Sequence, residues 1–380
     1  SILAFKVGTK LDNYSFNIVT SHTDSPTFKV KENAEIEVKN KYTQLNTEGY
    51  GGMLCATWLD RPLSIAGRVL VSEGNSIVTK LLNIDRDLLM IPNVAIHMNR
   101  AANDGFKYNL QVDMLPLLSA GDDRQKDFKQ IIADELGVKK EDILGHDLYL
   151  YNRMAPSIWG ANEEFISAGH LDDLQCGFAS LKALLAGYND ESIDIMACFD
   201  NEEVGSGTKQ GADSTLLRDT LTRINNALGK TEEDYHRALA SSFMLSSDNA
   251  HAVHPNHPEH TDATNCTYMN EGVVVKSHAG QKYTSDGVSM AVVKALASGA
   301  DVPLQYFANR SDKAGGSTLG NIAMAQASMN AVDIGLPQLA MHSSYETAGI
   351  KDTYYAISLM KALFDSHIQE TSTHSLEIKR

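Results

Sequence analysis

The chain has 380 residues, 43% of them apolar and 21% charged, with a formal net charge of -15. That is the make-up of an ordinary globular protein, long enough for two domains or one large one. Its acidity speaks against a nucleic-acid partner, since phosphate neutralisation requires a basic patch, and no apolar run approaches the roughly 18 residues that span a bilayer.

In chain order, residues 2–7 and 15–20 read as strands around the turn Lys10-Leu11-Asp12-Asn13. The opening Ser1-Ile2-Leu3-Ala4-Phe5 has no signal-peptide pattern. A chain that starts inside a hairpin is expected to be a domain without its usual beginning. Short alternating runs over 34–39, 67–72 and 80–83 predict β-rich structure. An amphipathic helix over 123–136 follows, with Phe128, Ile131, Ile132 and Leu136 on one face and Gly137 as its C-cap.

Beyond Ile158-Trp159-Gly160 the pattern alternates. Helices are predicted over 174–188, 216–228, 287–297, 318–329 and 351–364, and strands over 193–199, 241–246, 273–276, 304–308 and 338–341. This predicts an α/β fold with a mixed, mainly parallel sheet and helices on both faces. Residues 1–28 and 157–380 would build it, with 29–156 inserted as a separate β-rich domain. Cys55, Cys176, Cys198 and Cys266 lack CxxC spacing and read as small buried hydrophobes, which points to a reduced, cytoplasmic protein.

In open α/β sheets, ligands bind beyond the carboxyl ends of the strands. At those positions stand His22 and Asp24, the pair Glu202-Glu203, Asp248 and His342, while Asp172 precedes the helix over 174–188. Each has an ordinary reading alone: a hydrogen-bonded histidine, or for Asp172 a helix cap. Their coincidence at one sheet edge favours a metal site. His22, Asp172, Glu203, Asp248 and His342 supply the nitrogen and oxygen donors that suit two divalent ions with one bridging carboxylate. Zinc is expected, although cobalt and manganese accept the same donors. Glu202 would be the general base, taking a proton from the activated water and returning it to the leaving amine. Asp24 is placed to accept the other ring N–H of His22 and so fix its tautomer.

The segments S-H-T-D-S-P (21–26), G-H-L-D-D (169–173), D-N-E-E-V-G-S-G (200–207), S-D-N-A-H-A-V-H-P-N (247–256) and M-H-S-S-Y-E (341–346) resemble the aspartyl aminopeptidase family of dinuclear zinc exopeptidases. The resemblance covers essentially the whole chain. It implies a zinc exopeptidase-like fold, with His22 and Asp248 on one metal, Glu203 and His342 on the other, Asp172 bridging and Glu202 as base. It further implies that the inserted domain mediates dimerisation and that dimers assemble into a dodecamer. His97, in V-A-I-H-M-N-R (94–100), would reach a neighbouring subunit's active site; its bland alternative is a buried, satisfied ring. Lys276 and Tyr283, in V-V-V-K-S-H-A-G-Q-K-Y (273–283), would lie near the substrate. Lys276 could pair with a substrate carboxylate or stabilise the oxyanion. Family members carry a helical segment before the first strand, so an incomplete beginning would put the full shell in question.

Three further signals carry less. His251, His254, His257 and His260 recur every three residues, but Pro255 and Pro258 exclude a regular helix, and the segment reads as a loop. G-S-G-T-K-Q-G (205–211) has the wrong spacing for a dinucleotide loop and reads as room for backbone. A-G-G-S-T-L-G (314–320) opens a helix whose N–H groups, around Gly316, could hold a substrate carboxylate. The reading is a cytoplasmic metalloaminopeptidase acting on peptides with N-terminal Asp or Glu. An aminopeptidase or deacylase of other specificity, or a catalytically silent assembly protein of the same fold, are the alternatives. Glu202, which holds no metal in this scheme, argues against the silent one.

Overall fold

The computed structural model describes residues 1–120, 127–372 and 375–380. They form two units. One comprises residues 1–25, 157–341 and 346–380, the other residues 26–156 and 342–345.

The first unit is built on a seven-stranded sheet in the order Ile2–Val7, Ser192–Phe199, Ser15–His22, Phe243–Ser247, Asn330–Gly335, Val273–Lys276, Leu304–Phe307. Neighbours are parallel except Ile2–Val7 with Ser192–Phe199 and Val273–Lys276 with Asn330–Gly335. Every residue of Ser15–His22 and Ser192–Phe199 is buried, as expected of strands covered on both faces. Helices Leu171–Ala186, Gly287–Gly299 and Asp352–Phe364 cover one face, packing Cys176, Ala183, Val293, Leu359 and Phe364 against it. Leu216–Ala227, Glu232–Ala240 and Leu319–Gln326 cover the other, where Leu221, Ala238 and Leu319 meet Phe16 and Phe199. The sheet is mixed, mainly parallel and helix-covered on both faces, as the alternation of elements predicts.

Three details differ from expectation. The helix predicted to reach 329 ends at Gln326, and Asn330–Gly335 becomes an inner strand. Its Asp333 is fully buried because Ser246, Thr284 and Thr318 hydroxyls donate to it, at 2.8, 2.7 and 2.5 Å. Helix Glu232–Ala240 was not expected, although Thr231 and Asp234 form a reciprocal capping box at its start. Third, the strand expected over 338–341 is Pro337–Leu339 and lies in a smaller five-stranded sheet with Ala250–His251, Glu346–Gly349, Phe165–Ala168 and Ser157–Trp159.

The second unit is an antiparallel six-stranded sheet in the order Ser76–Asn83, Leu63–Glu73, Ile143–Asn152, Thr27–Val38, Tyr42–Tyr50, Leu117–Ala120. Its core includes Leu63, Ile65, Leu148 and the edge-to-face pair Phe28–Trp58, 5.3 Å between centroids. Its helix is Phe128–Leu136, capped by Asp127, which accepts the Gln130 N–H, and ended by Gly137 at φ 65°. The earlier part of the helix predicted from 123 falls outside the described residues. Among the described residues, no helix is long and apolar enough to cross a membrane.

Candidate metal centre

Three neighbouring parallel strands end at the same edge of the main sheet, and each hands over an acid or a histidine. Ser15–His22 ends in His22 itself. Ser192–Phe199, paired so that Phe199 lies opposite His22, leads to Glu202 and Glu203. Phe243–Ser247, on the other side, leads to Asp248. Asp172 arrives from the start of Leu171–Ala186, where Asp172 and Asp173 have non-helical dihedrals. It therefore precedes the regular helix rather than belonging to it.

His22 is the hub. Its Nδ1 lies 3.0 Å from the Asp24 carbonyl oxygen. A carbonyl only accepts, so Nδ1 carries a proton, and in the neutral ring Nε2 presents a lone pair. That lone pair faces Asp172 Oδ1 at 3.4 Å and Asp248 Oδ1 at 3.6 Å. A lone pair and two carboxylates facing one another repel unless a proton or a metal cation lies between them. Donors at the usual bond length around a tetrahedral zinc ion are about 3.4 Å apart, so the observed spacings fit an ion. Burial alone would lower the pKa of His22, yet Asp172, Asp24 and Asp248 together carry it well above the ordinary value. Among these acids the ring favours a positive charge, which a proton or a bound cation at Nε2 would supply. Ligand atoms of His22, Asp172, Asp173 and Asp248 lie within 4.8 Å of one another, as do those of His22, Glu202 and Glu203.

Asp24 accepts the ring N–H through its main chain. Its main-chain carbonyl, not its carboxylate, accepts the Nδ1–H; the nearer carboxylate oxygen is 3.6 Å away. The carboxylate instead accepts the backbone N–H groups of Glu202 and Glu203, each at 3.1 Å. It pins the short turn Glu202–Val204 that carries both glutamates.

Burial first, and then the negative charge of Asp248, push Glu202 up to about 7; His22 opposes them, and Asp172 and Asp24 add less. A carboxyl in that range can both take up and release a proton near neutrality.

Two supporting acids carry no role in the sequence reading, although both sit inside the quoted motifs. Asp173 accepts the His22 backbone N–H at 3.1 Å. Glu346 accepts the Asp172 N–H at 3.0 Å and the Gln338 amide at 3.3 Å. Gln338 in turn accepts from Asn249, the neighbour of Asp248, at 2.8 Å. A buried chain of hydrogen bonds thus fixes the backbone at two of the acids around His22.

Lys276 lies in this unit, 4% exposed. Its ammonium donates to the Asn249 carbonyl at 2.7 Å, lies 3.5 Å from Asp248 Oδ2 and sits 5.7 Å from the Tyr283 ring centroid. Burial works against its charge, but Asp248 leads the contributions that raise its pKa overall. Tyr283 is buried. Gly316 is exposed and precedes the helix Leu319–Gln326, so its N–H is outside the first helical turn. In the second unit, His342 Nδ1 approaches the Gly52 carbonyl at 2.7 Å. His97 is exposed there, which removes the buried-ring alternative, and Val94, Ile96 and Met98 beside it are exposed too.

Comparison with known proteins gives a consistent picture. A family profile described as aminopeptidase I zinc metalloprotease (M18) matches residues 1–364. The chain is 49% identical to a probable M18 family aminopeptidase 2 of Clostridium acetobutylicum, over 93% of this chain and 83% of the relative. It is 37% identical to one of Pseudomonas savastanoi, over 97% and 86%. Among solved structures, yeast aminopeptidase 1 superposes with a TM-score of 0.80 at 27% identity, over 95% and 82% of the two chains.

Proposed function

The chain belongs to the M18 family of aminopeptidase I zinc metalloproteases and is a metal-dependent aminopeptidase; from that premise we propose that it removes N-terminal Asp or Glu from peptides at a centre of two zinc-type ions. His22 and Asp248 would hold one ion, Glu203 and His342 the other, and Asp172 would be shared. The observation that carries this reading is the buried Nε2 of His22 facing two carboxylates at cation-ligand spacing. Ions bound there would acidify a water and polarise the scissile carbonyl.

The protein's own groups do the rest. Glu202 takes the proton of the attacking water and returns it to the leaving amine nitrogen. Asp24 holds the turn that aims Glu202. Lys276 supports the acidic preference: it is a buried cation with further N–H donors to offer a substrate carboxylate or a developing oxyanion. Tyr283 backs that ammonium, and the loop at Gly316 offers backbone N–H groups to the substrate's carboxylate end.

The exposed apolar neighbours of His97 support a place for that segment against a second copy of the chain, where His97 would complete the neighbour's active site. The solved S. cerevisiae mApe1 structure is a dodecamer, and we extend homo-oligomerisation to this chain, with residues 29–156 joining dimers. Four free cysteines are consistent with a cytoplasmic location.

Release rates from Asp-, Glu- and Leu-anilides test the specificity. The proposal expects Asp and Glu to lead, and equal turnover of Leu would remove the acidic preference. Mixing His97→Ala with Glu202→Gln tests the shared site. Activity recovered in mixed assemblies supports contribution in trans, and its absence would assign His97 a role within its own chain.

A further inference from the structure

The histidine tract that follows the Asp248 loop has an arrangement of its own. His257 precedes the short 3-10 turn Pro258–His260. In such a turn residues three apart eclipse one another, so His257 and His260 project to the same side. Their rings stack at 5.4 Å with 24° between planes. Glu259 reaches between them, its Oε1 3.0 Å from His257 Nδ1 and 4.0 Å from His260 Nε2. The turn is braced by its own backbone: His257 N–H to the His254 carbonyl at 3.0 Å, and His260 N–H to the His257 carbonyl at 3.2 Å. Thr261 adds a hydroxyl bond to the Pro258 carbonyl at 2.7 Å. Pro255 and Pro258 restrict the chain further. The nearby Arg310 side chain is taken up by Asp312, at 2.8 and 2.9 Å, and by the Glu259 carbonyl, which leaves the Glu259 carboxylate to the histidines.

We propose that His257, Glu259 and His260 form a surface site for one transition-metal ion of the zinc, nickel or copper type, separate from the centre at His22. One ligand atom from each lies within 4.8 Å of the other two. Two imidazoles and a carboxylate with open water positions are a donor set such ions accept. On binding, the ion takes the place of the proton between His257 and Glu259, and the ring shifts that proton to its other nitrogen. His254 stands beside His257, ring centroids 5.4 Å apart and tilted by 38°, outside the group whose ligand atoms converge. Its Nδ1 accepts the Asn256 N–H at 3.2 Å, which places its proton on Nε2. The ion would clamp the exposed turn.

Zinc titrated calorimetrically into protein whose active centre is already zinc-filled tests this, with elemental analysis fixing the starting content. One further equivalent per chain is expected, in the micromolar range. His257→Ala and His260→Ala should each weaken it at least about tenfold, while His254→Ala leaves it unchanged and all three keep the circular dichroism of the parent. No further equivalent in the parent, or equal binding by His257→Ala, would overturn the proposal, as would loss of the site in His254→Ala.

Discussion

The Asp24 carboxylate accepts the backbone N–H of Glu202 at 3.1 Å, and through its second oxygen that of Glu203 at the same distance. One acid thus sets the position of two others. In Asp24→Asn one oxygen becomes an NH2 group facing a backbone donor, so one of the two bonds must break. We expect kcat to fall about 10- to 100-fold, with zinc content largely kept. Steady-state kinetics with zinc analysis checks this, and an unchanged kcat would remove the positioning role.

Glu202→Gln keeps the size and polarity of the side chain and loses its basicity. Turnover should fall by roughly 10²- to 10⁴-fold while zinc content and melting temperature stay near those of the parent. An emptied metal site in this variant would mean that Glu202 is a ligand.

Removal of metal should destabilise as well as inactivate. Without a metal ion, Asp172, Asp24 and Asp248 are left around His22 with a proton on its ring and the Lys276 ammonium, 3.5 Å from Asp248, to balance them. Dialysis against a chelator is expected to abolish turnover and lower the melting temperature by several degrees, and added zinc should restore both. Thermal melts alongside activity measurements decide this.

Asp194, buried at the start of strand Ser192–Phe199, is pushed up to about 7 by burial, against the Asn17 amide that donates to it at 3.1 Å. A carboxyl whose folded pKa is raised contributes stability fully present below its unfolded value, about 3.9, and lost as pH rises toward its folded value. Asp194→Asn removes this dependence. Relative to the parent it should therefore gain stability between about pH 4 and 7, by a few kcal/mol, and no further above. Urea midpoints at pH 5 and pH 8 measure the change, and a constant difference between the two proteins would refute it.

The sequence showed most of the fold through periodicity, because strands such as Ser192–Phe199 and helices such as Asp352–Phe364 carry long apolar patterns. It hid Asn330–Gly335, where a buried Asp333 interrupts the apolar run and is satisfied by Ser246, Thr284 and Thr318, each 15 or more residues away. The small sheet that carries Pro337–Leu339 was hidden for a related reason: a three-residue strand gives no period to read. At the site, residue type and strand-end position brought His22, Glu202, Glu203 and Asp248 into view. What Asp24 does could not be read that way, because its partners are backbone N–H groups some 178 and 179 residues away. Asp173 and Glu346 were invisible for the same reason: they hold main chain, and no spacing rule marks such contacts.

A crystal of the zinc-loaded protein, with anomalous data collected at the zinc edge, tests the account most directly. It should show one ion bonded to His22 Nε2, Asp172 and Asp248, and a second sharing Asp172 with Glu203 and His342. An anomalous map with no ion on His22 Nε2, from protein that is fully active, would contradict it.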